Sequence, residues 1–171
     1  MTKRMKLDDV ERELGRFGKY VVKQSRSILT RKRKNDTKDL YNSIGYKLNV
    51  SKNSFSLDFF MADYGEFQDQ GVQGAFSKKK APNSPFSFKR NRPIGAKHFE
   101  QWAKSKGISP FAVANSVWRK GIKPSLFFTK PFEDAFLQLP EELIGLLDKG
   151  TADIKHKLDL LGPIINSTKK L

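Results

Sequence analysis

Two apolar periods in the first sixty residues constrain the fold more than anything else in the chain. Leu7, Val10, Leu14, Phe17 and Val21 recur at three- and four-residue spacing, with Ile28 two turns further on. That spacing lines them up on one face of a helix over residues 6–29. Glu11, Glu13, Arg16, Lys19 and Lys23 take the other faces. The period then changes to two. Ile44, Tyr46, Leu48 and Val50 fall at alternate positions, as do Phe55, Leu57, Phe59 and Met61. Alternation of this kind is a strand with one face buried. Ser51-Lys52-Asn53-Ser54 between the two sets consists of turn formers, so residues 43–61 read as a β-hairpin. The helix is the obvious cover for the hairpin's apolar face. The predicted class is α+β, a long N-terminal helix packed on a small antiparallel β-sheet.

Further elements follow. Ala62 to Gln70 suits a short helix with Tyr64 and Phe67 on its core side, ended by Gly71 and Gly74 through positive φ. Residues 75–95 are rich in Lys, Arg, Ser and Pro and read as a long basic arm or extended hairpin; loops of such length are usually functional or disordered. Phe99, Trp102 and Ala103 form the stripe of another helix, broken at Lys106-Gly107-Ile108. Ser109 can cap the next helix with Pro110 at its first position. That helix carries Phe111, Ala112, Val113, Ala114, Val117 and Trp118 and stops at Gly121. Residues 122–129 form a later extended edge to the sheet. Pro131 fits the first turn of a helix through Phe132, Ala135, Phe136 and Leu137, and Glu141 to Leu147 forms a short amphipathic piece. The division expected is one domain over 1–149 and a loosely packed tail over 150–171, with a weak helical pattern in Ile154, Leu158 and Leu161.

The net charge is +15, from 33 basic and 18 acidic residues among 171. Solubility does not require so much; such a surface attracts nucleic acid, anionic membrane or acidic protein. The basic residues gather in three clusters: Arg31, Lys32, Arg33 and Lys34; Lys78, Lys79 and Lys80; and Lys89, Arg90 and Arg92. Phe86 and Phe88 interleave the third, a composition that serves phosphate binding with base stacking; because these rings sit among prolines and serines rather than on rigid strands, a solvated arm that docks on acidic protein is the reading preferred. An alternative function is therefore a basic nucleic-acid-binding protein. Apolar content of 37% is modest, and fourteen phenylalanines compensate in part.

Cysteine is absent, which excludes disulfide scaffolds and thiolate metal sites. No apolar run reaches the roughly 20 residues that span a bilayer, and no apolar stretch follows the basic Met1-Thr2-Lys3-Arg4 start. The expectation is a protein made in the cytoplasm, with no membrane partner. Catalytic signatures are missing too. His98 and His156 stand in no metal-ligand spacing. Asp63 and Glu66, three apart on one helical face, are the best pair for a metal-dependent nuclease, but no third ligand motif supports them; a structural pairing of Glu66 with lysine is the plainer reading. Gly71-Val72-Gln73-Gly74 lacks the Lys-Ser or Lys-Thr of a phosphate loop. A non-enzyme with no cofactor, no metal and no small-molecule substrate is expected.

Two stretches mix aromatics, glycine and proline where a chain turns sharply: Asp63-Tyr64-Gly65-Glu66-Phe67-Gln68-Asp69-Gln70-Gly71, and Lys120 to Phe132 with Gly121, Lys123, Pro124, Phe127, Phe128 and Pro131. Their order after a long helix, a Leu40-Tyr41-Asn42-Ser43-Ile44 segment and a hairpin resembles the tail-completion and head–tail joining proteins of tailed bacteriophages, the neck and tail-terminator subunits. The resemblance covers about residues 8 to 138. It differs in having Gly-Glu-Phe where the family has Glu-Phe-Gly, and in the long basic 75–95 segment. It implies a structural virion subunit that forms a homo-oligomeric ring between head and tail, with neighbouring connector, portal-side and tail proteins as partners and DNA in the channel as a further contact. Tyr64, Gly65, Glu66, Phe67 and Gly71 of the first stretch, and the six named residues of the second, would then serve packing within and between subunits.

Overall fold

The computed structural model describes residues 6–34, 38–51, 54–148 and 152–155. Helix α1 spans Leu7–Arg31. Asp8 and Asp9 in its first turn and Arg31 in its last complement the helix dipole. Its inward face carries Val10, Leu14, Phe17, Val21, Ile28 and Leu29, all buried, whereas Leu7 at the start is exposed. The helix runs two residues into the basic run, with the Thr30 hydroxyl donating to the Arg26 carbonyl in its last turns. Arg31 to Lys34 are exposed, as a run of like charge requires. A short helix α2, Asp39–Ser43, leads into the hairpin.

Strands β1, Gly45–Val50, and β2, Phe55–Phe60, pair antiparallel with Tyr46 opposite Phe59 and Leu48 opposite Leu57. The alternation sends Leu57 and Phe59 into the core and leaves Phe60 more than half exposed. α1 covers the inward face, as its apolar stripe predicts. Helix α6, Thr129–Phe136, closes the same core. Phe17 meets Phe132 edge-on at 5.2 Å, and Phe59 meets Phe128 at 5.3 Å and Phe132 at 5.8 Å. These rings tie α1, β2 and α6 together, each pair adding about 0.5–1.5 kcal/mol beyond its buried area. Leu143 of α7, Glu141–Asp148, completes the cluster.

The fold is thus the α+β arrangement read from the sequence, with differences in detail. The sheet gains a third strand, β5, Ala152–Lys155, parallel to β2 with Leu57 opposite Ile154. The helical pattern expected around Ile154 gives way to this strand, because β2 offers an unpaired edge that a tail segment can complete. Leu158, Leu161 and the rest of the tail lie outside the described residues. The extended edge expected after residue 121 does not join the hairpin. Instead β4, Gly121–Ile122, pairs antiparallel with β3, Val72–Gln73, as a separate two-stranded ladder.

Between those ladder strands lie α4, Glu100–Lys106, preceded by a single 3₁₀ turn over Ala96–Phe99, and α5, Pro110–Lys120. Ser109 caps α5, its hydroxyl oxygen accepting from the Ala112 amide, with Pro110 at the first position, and Gly121 at φ +82° ends it. The stripe read on α4 buries Ala103 fully but leaves Trp102 exposed. Among the described residues, no helix is long and apolar enough to cross a membrane.

Candidate functional site

The two stretches singled out in the sequence meet in space. Helix α3, Gly65–Gln70, ends at Gly71, whose φ of +72° turns the chain into β3. β3 then pairs with β4, which leads into the second stretch. The join is tightened by backbone: Ser125 N–H and Ser125 Oγ both donate to the Gln68 carbonyl, at 3.0 and 2.6 Å, and Leu126 N–H donates to the Asp69 carbonyl at 3.0 Å. A β-carbon on Gly71 would come within 2.5 Å of the Ile122 carbonyl oxygen. Gly74 serves differently from expectation. Its φ is not positive; a β-carbon there would strike the Arg119 carbonyl oxygen at 2.3 Å, so close approach of two backbones demands the glycine.

Asp69 is the centre of this junction. It is only 4% exposed. Its Oδ1 accepts from the amides of Phe128 at 2.8 Å and Thr129 at 3.2 Å. Its Oδ2 accepts from the Thr129 hydroxyl and from Gln70 Nε2 at 2.8 Å. Gln70 Nε2 also reaches Thr129 Oγ1 at 2.6 Å. α6 has no side-chain cap of its own, so a carboxylate sixty residues away in sequence takes the free amides at its N-terminus and offsets its dipole. In the sequence Asp69 has no role beyond its place in the Asp63–Gly71 stretch. Phe128-Thr129-Lys130-Pro131, a helix start without a local acidic cap, was the available signal.

The same geometry corrects the orientation of α3. Tyr64 and Phe67 do not face the core; both are more than two-fifths exposed. The inward side is the Gly65–Asp69 pair, one turn apart. A β-carbon on Gly65 would lie 2.6 Å from Met61 Sδ and 2.9 Å from Leu40 Cδ1, so α3 sits too close for a larger side chain there. Phe67 instead rests edge-on against Phe86 at 4.8 Å. The Tyr64 phenol is held above its ordinary range by partial burial and then by the Asp39 carboxylate, opposed by a hydrogen bond with the Leu40 backbone. Glu66 is half-buried beside it. In the second stretch Phe127, Phe128 and Pro131 are core residues, while Lys123 is exposed and Pro124 half-buried. The buried three pack within the subunit and present nothing to a neighbour.

The basic segment 75–95 is a docked loop rather than an extended arm. Gln73 N–H donates to Phe86 O and Phe88 N–H to Gln73 O, at 2.8 and 2.9 Å. The buried Ser84 hydroxyl donates to Gly71 O at 2.7 Å, and Gln73 Nε2 reaches Ser84 O at 3.0 Å. Arg90 Nε donates to Ala75 O, and Trp118 Nε1 to Lys89 O. Exposed Phe76 gathers Trp118 edge-on at 5.2 Å and the guanidiniums of Arg90 and Arg119 at 5.3 and 4.7 Å. Arg119 and Trp118 were not foreseen as members of this face.

The other two basic clusters converge. Lys32 Nζ donates to Ser125 O at 2.8 Å, and Lys80 Nζ to Gly121 O at 3.4 Å. Lys34 sits where desolvation, then Lys32 and Lys80, lower its pKa. Lys78 and Lys79 stay exposed, as do Lys89 and Arg92. Asp63 is exposed, and among the described residues no three His, Asp or Glu side chains gather as metal ligands. His98 is exposed at the surface; His156 lies outside the described residues. No protein-family model matches the chain, and no characterised protein or solved structure matches it either.

Proposed function

We propose that the chain is a structural subunit of the neck or tail-completion region of a tailed bacteriophage, assembling head-to-tail into a ring that joins head and tail. The observation that supports this reading is the junction itself. The two stretches that carry the resemblance fold as one unit, clamped through Asp69, and hold α3 and the β3–β4 ladder rigidly beside the core. A rigid subunit suits a closed ring. Such a ring uses heterologous contacts, in which one patch meets a different patch on the next copy. Phe111 on α5 is 77% exposed, Leu137 after α6 63% and Phe60 on β2 54%, so apolar side chains stand out on separate elements. Tyr64 and Phe67 add an aromatic edge. The basic loop and the Arg31–Lys34 run suit contact with DNA in the channel or with acidic neighbours in the virion.

The test is negative-stain microscopy and sedimentation of the purified protein, alone and mixed with a phage connector or tail tube. Rings, or caps on tube ends, are expected. Phe111→Glu should abolish them without unfolding the subunit, since that side chain buries little within it. Monomers that persist at high concentration and join no ring or tube end would sink the proposal.

A further inference from the structure

A groove of about 650 Å³ runs along the C-terminal half of α1, between that helix and the α2–β1 turn. Its floor is Val22 with the rings of Tyr41 and Tyr46, and Lys19, Lys23 and Arg31 stand on the helix that forms one wall. None of the described residues lining it is acidic. Its volume is that of an ordinary ligand site. Arg26 is built into it: Nε donates to Tyr41 O at 3.1 Å, Nη2 to Ile44 O at 2.9 Å, and the guanidinium lies 5.2 Å from the Tyr41 ring centroid. Arg26 and the Tyr41 ring are therefore held in place, while Lys19, Lys23 and Arg31 stand exposed along the helix.

Ring faces decide what it takes. A single-stranded nucleic acid would need aromatic faces for its bases. Here the Arg26 guanidinium already lies over one face of the Tyr41 ring. Tyr46 is wedged against Gly18, where a β-carbon would lie 2.6 Å from the ring; its hydroxyl donates to Gly15 O at 3.5 Å, and Phe59 lies tilted at 6.3 Å. What remains is an apolar floor under a row of cations. We infer that this groove is a docking site for an acidic peptide segment of a partner protein, an apolar side chain seated over Val22 and its carboxylates on Lys19, Lys23 and Arg31. The inference is independent of the ring proposal, because the groove is lined by α1, Tyr41 and Tyr46 and by no residue of the Asp69 junction.

The experiment measures fluorescence anisotropy of the full chain with a labelled glutamate-rich peptide carrying one central leucine, beside an oligothymidylate of equal net charge. The peptide is expected to bind more tightly than the oligothymidylate. Lys19→Glu with Lys23→Glu should weaken the peptide roughly tenfold or more. Ser27→Trp, which fills the groove from an exposed position, should weaken it without changing charge, and the peptide lacking leucine should bind more weakly. Lys78→Glu with Lys79→Glu, the same charge change in the loop, should have little effect. Equal weakening by the loop pair would mean diffuse attraction and overturn the site. Tighter oligothymidylate binding, lost on the Lys19 and Lys23 variants, would make it a nucleic-acid groove and overturn the peptide. Thermal melts of each variant confirm that the fold is kept; all four charged positions are exposed.

Discussion

Replacing Asp69 should be among the costliest single changes outside the aromatic core. The carboxylate accepts four hydrogen bonds, three of them from the first residues of α6. Asp69→Ala removes an N-terminal cap, worth about 0.5–2 kcal/mol. It also leaves the Phe128 amide buried without its acceptor, a penalty of about 1–3 kcal/mol. The effects share one group and do not simply add, so the expected loss is about 3 kcal/mol. For a chain of 171 residues each kcal/mol moves the melting midpoint by about 2–4 °C, giving a fall of roughly 10 °C. Asp69→Asn keeps an oxygen for the two backbone amides. It places an amide group where the Thr129 hydroxyl and Gln70 now donate, so Thr129 must turn round and accept; about 1–2 kcal/mol is expected. Urea melts followed by tryptophan fluorescence measure both. A cycle with Thr129→Val isolates the coupling between the two side chains, which should exceed about 0.5 kcal/mol for groups in direct contact. If Asp69→Ala cost less than about 1 kcal/mol, or no more than Asp69→Asn, the clamp would not be what holds α6 to α3.

Two further outcomes can be checked on the same instruments. Glu133 in α6 has its pKa raised by partial burial first, then by Asp134 and Asp69, with Lys130 opposing; folded Glu133 therefore holds its proton more tightly than unfolded, and stability is lost as pH rises from the ordinary glutamate value through the folded one. Glu133→Gln should raise the melting midpoint at neutral pH and leave it unchanged in acid well below the carboxylate range; equal shifts at both would refute the sign. Gly121→Ala and Gly107→Ala both force alanine into positive φ, but a β-carbon at 121 meets the Val72 carbonyl oxygen at 2.2 Å while that at 107 meets open space. The Gly107 change should cost about 1 kcal/mol and the Gly121 change over 3, read from urea midpoints; similar costs would mean that β3 and β4 do not pack as closely as described.

What was legible in the sequence was whatever repeats along the chain. α1 and the hairpin show their periods because each buries one continuous face, and Ser109-Pro110 and Gly121 mark α5 by local chemistry. What was hidden depends on partners far away in sequence. α3 and the residue before it carry two aromatics, and aromatics usually seek the core; here Gly65 and Asp69 claim the inward side, one for closeness and one for the amides of α6. β5 has no local strand signal because its register is set by β2. The 75–95 loop reads as solvated from its Lys, Ser and Pro content. Its anchors are small or backbone groups, Ala81, Ser84 and the Gln73 ladder, which composition does not reveal.

The cation excess itself is not explained by stability. The ion pairs seen on α1 and α6 are short-range ones, Arg12–Asp9, Arg12–Glu13, Arg16–Glu13 and Lys130–Asp134. Exposed pairs of this kind contribute about 0–1 kcal/mol. The best placed carboxylate, Asp69, is spent on amides and hydroxyls rather than on lysine. Meanwhile the basic residues are brought together: Lys32, Lys34 and Lys80 gather beside the β4 turn, where desolvation first, and then repulsion from Lys32 and Lys80, depress Lys34. Crowding like charges opposes folding. In the proposed reading, a chain that does so on one face, and lines the α1 groove with more cations, gains from that charge when a counter-charged partner is present.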